Sequence, residues 1–156
     1  MALTPDEDLE FDEDDLVGVV EVLAELTAAG SGWVNLRPEV EQGREPPPRS
    51  WLALIFSARG EAVPLATWTP PTPPGGRSTL GIEHGSGPQA LARLDEHDLG
   101  LRPGWLKVAD HPRRGLVVTA PGTSEPDEVL WWLLAASHAL STVPLSGAWR
   151  ASIYRR

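Results

Sequence analysis

The sequence predicts an α+β fold, a mostly antiparallel sheet of short strands covered by about three helices. Three observations lead there. Segments of strand composition follow one another in runs instead of alternating strictly with helices, which favours antiparallel pairing with the helices on one face. Three other stretches repeat apolar residues at helical spacing. Clusters of Gly and Pro punctuate the chain where strand connections are needed.

The elements follow in order. Leu16, Val19, Val20, Leu23 and Leu26 recur at helical spacing with Glu21 and Glu25 opposite, which predicts a helix over residues 12–29 that stops at Gly30. Its N-terminal carboxylates are favoured by the helix dipole. Residues 33–40, 51–57, 62–69 and 78–84 read as four short strands, with Arg59-Gly60-Glu61 as a hairpin turn. Residues 45–48 and 70–76 are proline-stiffened loops. Gly87-Pro88 opens a second helix to about residue 97, with Ser86 or Gly87 as its cap and Ala90, Leu91 and Leu94 facing inward. Residues 105–110 and 115–120 form a hairpin around His111-Pro112-Arg113-Arg114. Ser124 and Asp127 form a capping box, with Pro126 in the first turn, for a helix reaching about residue 141; a strand over 148–154 follows.

A chain of 156 residues with 41% apolar content suits one core and one domain. The net charge of −9 is local: eight carboxylates between Asp6 and Asp15 have no basic residue among them, and the remainder is nearly neutral. Residues 1–10 are therefore expected to be an acidic, disordered arm, dispensable for folding, before a single domain over 11–156. No basic stripe is present, which argues against nucleic acid. The apolar stretch 129–143 is shorter than the ~20 residues a bilayer needs, so no membrane span is expected. With no cysteine and an acidic N-terminus, the expected location is the cytoplasm.

The element order resembles the type III secretion chaperone-like fold, whose members bind other proteins. The segments Gly32-Trp33-Val34-Asn35-Leu36-Arg37-Pro38, Asp110-His111-Pro112-Arg113-Arg114-Gly115-Leu116-Val117-Val118 and Trp149-Arg150-Ala151 are similar to a protein family of high-GC actinobacteria with no assigned activity. That resemblance implies a bacterial origin and supplies no catalytic residue. Twelve Arg against one Lys, with 16 Pro and 15 Gly, fit the same genomic bias.

Two groups of residues carry candidate chemistry. Asp110, His111, Arg113 and Arg114, together with the glycine-rich turn Gly85, Ser86 and Gly87, could recognise an anion. The turn matches neither the phosphate-loop nor the dinucleotide pattern, and no Gly-x-Ser-x-Gly elbow surrounds Ser86. The four histidines show no metal-ligand spacing, and no cofactor is implied. The second group lies on the last helix. Val129, Trp132, Leu133, Ala136 and Leu140 form a stripe for the sheet, whereas Trp131, Leu134, Ala135 and His138 form an adjacent face without charge, a candidate contact for a protein partner or a homodimer. The sequence thus points first to a non-catalytic protein-binding or adaptor domain acting through a protein partner or self-association. The alternative is a small enzyme or ligand-binding domain for an anionic or phosphorylated ligand.

Overall fold

The computed structural model describes residues 2–52 and 57–156. Among the described residues seven strands form one antiparallel sheet: β1 (Glu7–Asp12), β2 (Trp33–Val40), β3 (Leu65–Thr69), β4 (Arg77–Glu83), β5 (Leu106–His111), β6 (Gly115–Pro121) and β7 (Leu145–Tyr154). Their spatial order is β1-β7-β2-β3-β4-β6-β5, so β1 and β5 are the edges. Among the described residues three helices, α1 (Val17–Ala29), α2 (Ala90–Glu96) and α3 (Pro126–Leu140), besides helical residues at 51–52, complete the expected α+β architecture.

Alternation along the strands selects the face that the helices cover. In register, Val34 meets Ile153 and Trp68, Trp68 meets Leu80, and Leu80 meets Val118; one step along, Ala151, Leu36, Ala66, Ile82 and Leu116 form a second row. Every residue in both rows is buried. The side chains between them face the other way and stay at least partly accessible, giving polar pairs such as Thr67 Oγ1 donating to Asn35 Oδ1 at 3.0 Å. Against the buried rows pack Val19, Leu23 and Leu26 of α1 and the anticipated stripe Val129, Trp132, Leu133, Ala136 and Leu140 of α3. A stripe of that width is what a helix needs to bury against a sheet.

The acidic N-terminus departs from expectation. Residues 7–10, assigned above to a disordered arm, belong to β1, which pairs with β7 from Glu7↔Ile153 to Asp12↔Ala148. Leu9 and Phe11 alternate inward onto the core, and the Phe11 ring stacks on Trp149 at 6.4 Å. Outward, Glu10 accepts from Arg150 at 3.0 Å and Asp8 from Ser152 Oγ at 2.6 Å. Arg155 reaches both Glu7, at 2.7 Å, and Glu25, at 2.6 Å. These exposed pairs fix register more than they add stability. Because Asp12 is in the strand, α1 begins only at Val17, whose N–H is 3.4 Å from the Asp15 carboxylate.

Other departures are local. The strand expected over 51–57 falls mostly outside the described residues, and Trp51, at its start, is helical and exposed. The proposed capping box is not formed: α3 begins without a side-chain cap, relying on Pro126 and on Asp127 and Glu128 in its first turn. The β5–β6 hairpin is present as expected, and its turn requires Gly115, whose φ of +96° would strain any side chain and whose Cβ would strike the Ile82 carbonyl.

Candidate functional site

Of the anion candidate's residues the structure uses several internally, while Arg113 and Arg114 line a cleft with residues 59–61, on which the glycine turn also packs. The Asp110 carboxylate accepts the Ala90 N–H at 3.2 Å and the Leu91 N–H at 3.0 Å, so it caps α2 across 19–20 residues of sequence. This replaces the expected cap by Ser86 or Gly87. His111 closes its own turn, Nδ1 accepting the N–H groups of Arg113 and Arg114, both at 3.1 Å. Arg93 donates to the carbonyls of Gly87 and Pro88, which fastens the glycine turn to the short helix behind it.

Ser86 and His84 are in contact. Ser86 Oγ lies 2.8 Å from His84 Nδ1, and the Ser86 N–H donates to the same nitrogen at 3.3 Å, which leaves the ring proton on Nε2. His84 is fully buried, and its Nε2 has no hydrogen-bond partner among the described residues. The carboxylate that would orient the ring in a triad, Asp110, is spent on α2. Burial pushes the His84 imidazole below the ordinary histidine value of 6.5; Arg93 adds to this and Asp110 opposes it. The unfolded chain therefore takes up this proton first on acidification. The His84 contribution to stability should be complete above about pH 6.5 and decline as pH falls from there towards the folded-state value. Urea unfolding at about pH 7.5 and about pH 5.5 should show a larger loss for the parent than for His84→Asn; equal losses would contradict the assignment.

On α3, the face proposed for a partner is bordered by the chain itself but stays partly open. Leu134 is buried, and His138 Nε2 contacts the Glu13 carboxylate, which also accepts the Trp149 indole N–H at 2.8 Å. Glu13 and Leu16, just before α1, form one side of a shallow groove whose other side is Trp131, Leu134, Ala135 and His138. Trp131 remains half-exposed, with the Arg102 guanidinium 5.5 Å from its ring centroid.

The most distinctive concave surface lies elsewhere, between α2 and the edge strand β5. It is a groove of about 630 Å³ with Leu91, Ala92 and Leu101 as its apolar lining and Asp95, Lys107 and Asp110 as its charged lining. Its walls are firmly held. Asp110 joins β5 to the start of α2, Trp132 Nε1 donates to the Leu99 carbonyl at 2.9 Å, and Trp105 packs edge-on to Trp132 at 5.4 Å. Arg102, 3.1 Å from Glu128 and 5.9 Å from the Trp105 centroid, ties the connecting loop to α3. Among the described residues β5 pairs only with β6, and it bulges between Lys107 and Ala109; it lends Lys107 and Asp110 to the groove, while Leu106, 57% exposed, and Val108, 61% exposed, lie outside it. The sequence marked β5 as a strand but held no local sign that it would be an edge.

Among the described residues no helix is long and apolar enough to cross a membrane, and no cluster of His, Cys, Asp or Glu is arranged to hold a metal ion. Comparison with protein-family models, with curated proteins and with solved structures gave no match.

Proposed function

We propose that this chain is a non-catalytic protein-binding domain that takes up an extended segment of another protein as an added strand along β5. The observation that carries the reading is the contrast between the two sheet edges. Edges in natural proteins are blunted by charge or cover, because free N–H and C=O groups invite pairing. The β1 edge carries Glu7, Asp8, Glu10 and Asp12; the β5 edge has a single basic residue, Lys107, between the exposed Leu106 and Val108, and a held groove runs on its helix side past Lys107 and Asp110. A strand laid on β5 gains backbone hydrogen bonds, and its alternate side chains fall over Leu91, Ala92 and Leu101. The segment recognised is one with apolar residues at every second position and a basic residue to meet Asp95.

Selection of a random peptide library displayed on phage against the whole chain tests this, followed by titration of a selected peptide. The enriched sequences should show that alternation. Ala92→Trp fills the groove from an exposed helical position and should weaken binding at least about tenfold, a loss of about 1.4 kcal/mol, with thermal unfolding unchanged. Absence of enrichment, or a peptide that binds Ala92→Trp as it binds the parent, would overturn the reading.

A further inference from the structure

Independently of the β5 groove, we propose that the cleft between residues 59–61 and the β5–β6 turn binds a phosphate monoester of a hydroxylated small molecule. The fold brings together here what the sequence keeps apart. The Gly60 N–H donates to the Pro112 carbonyl at 3.2 Å, which seats the 59–61 segment on the β5–β6 turn. Gly60 and Gly85 sit back to back, each too close to neighbouring carbonyl oxygens for a side chain, so the glycine turn packs on the same segment. A Cβ on Gly87 would approach the Arg59 guanidinium to 3.3 Å; glycine leaves that guanidinium its place. The result is a cleft of about 490 Å³ lined by Arg49, Arg59, Arg113 and Arg114 and by Glu61 and Glu83.

The balance of charge points to the ligand. Arg49 is held by Glu61 at 3.6 Å and donates to the Gly60 carbonyl at 3.1 Å, so it shapes the wall. Arg59 and Arg114 form no ion pair among the described residues, although 22 carboxylates are distributed along the chain. Guanidinium groups converging from two separate segments suit a tetrahedral dianion, whose oxygens accept paired N–H bonds from each. Glu83 repels an unsubstituted anion placed near it, yet it accepts from hydroxyl groups. The cleft therefore favours an ester, with its phosphate towards Arg59 and Arg114 and its hydroxyls towards Glu83. Asp110 and His111, grouped with these arginines in the sequence, belong to the scaffold.

Calorimetric titration of the whole chain with glucose 6-phosphate, inorganic phosphate, sulfate and glucose tests the assignment. Glucose 6-phosphate should bind more tightly than inorganic phosphate or sulfate, and glucose should give no signal. The double variant Arg59→Gln/Arg114→Gln should bind the ester at least about tenfold more weakly with unchanged circular dichroism, whereas Arg44→Gln, an exposed arginine outside the cleft, should bind like the parent. Glu83→Gln should reduce the preference for the ester over inorganic phosphate. The proposal is overturned if the parent gives no binding at about 10 mM ester, if the ester and inorganic phosphate bind equally, or if Arg44→Gln weakens binding as much as the double variant does.

Discussion

Removing residues 2–12 should destabilise the protein by about 3 kcal/mol or more, since large-to-small changes at one buried aromatic cost about 3–5 kcal/mol and here a half-buried Phe and Leu leave together. The deletion takes away all of β1, the Phe11 stack on Trp149 and the inward contact of Leu9, and it turns β7 into an open edge. For a domain of this length each kcal/mol lowers the melting temperature by about 2–4 °C, so a fall of at least roughly 6 °C is expected by calorimetry, with a greater tendency to aggregate. A melting temperature unchanged by the deletion would mean that β1 does not dock on β7. Charge contributes little to this effect, because the β1 carboxylates and their arginine partners are exposed.

Trp132→Ala should cost a comparable amount, about 3–5 kcal/mol, out of a total that for most domains is about 5–15 kcal/mol. Trp132 is buried at the junction of α3 with the loop that leads into β5. Truncation leaves a cavity beside Trp105 and removes the donor to the Leu99 carbonyl. The urea midpoint should fall with little change in slope, as expected when stability alone is altered. Because Leu99 precedes Gly100 and Leu101 in the groove wall, peptide binding should also weaken. A loss below about 1 kcal/mol would show that this junction tolerates a void and does not hold the groove.

The extent to which the sequence anticipated the fold depended on the range of the forces involved. Helical stripes and strand alternation are local, and they located β2, β4, β6, α1 and α3 to within a few residues, except for the start of α1. The Val129–Leu140 stripe was legible because one face of a helix must be apolar to cover a sheet. The N-terminal strand was hidden by composition. Eight carboxylates suggest a solvated arm, and the alternation of Leu9 and Phe11 is too short to outweigh them without knowing that Arg150 and Arg155 wait on the neighbouring elements. The second face of α3 was legible only in part. Its lack of charge suggested an external partner; the structure places Glu13 and Leu16, more than a hundred residues away, along one side of it and leaves Trp131 half-exposed.

The candidate sites show the same division. That Arg113 and Arg114 lie on a turn could be read from the hairpin, but the arrival of Arg59 and Gly60 beside them is a tertiary event. Asp110 looked like a catalytic or anion-site carboxylate and is a helix cap, a role that no spacing rule predicts when cap and helix are 19–20 residues apart. The β5 groove has no motif at all. It arises because β5 ends the sheet and α2 runs beside it.

The central claim, that β5 is the docking edge, is tested most directly by amide hydrogen exchange of the whole chain with and without a selected peptide. Added strand pairing must place hydrogen bonds on the outward amides of residues 106–111, which face no neighbouring strand among the described residues. Slowed exchange concentrated there, with smaller changes along α2, is the predicted result. Protection centred on Trp131 and α3, or on the 111–114 turn, with residues 106–111 unchanged, would contradict it.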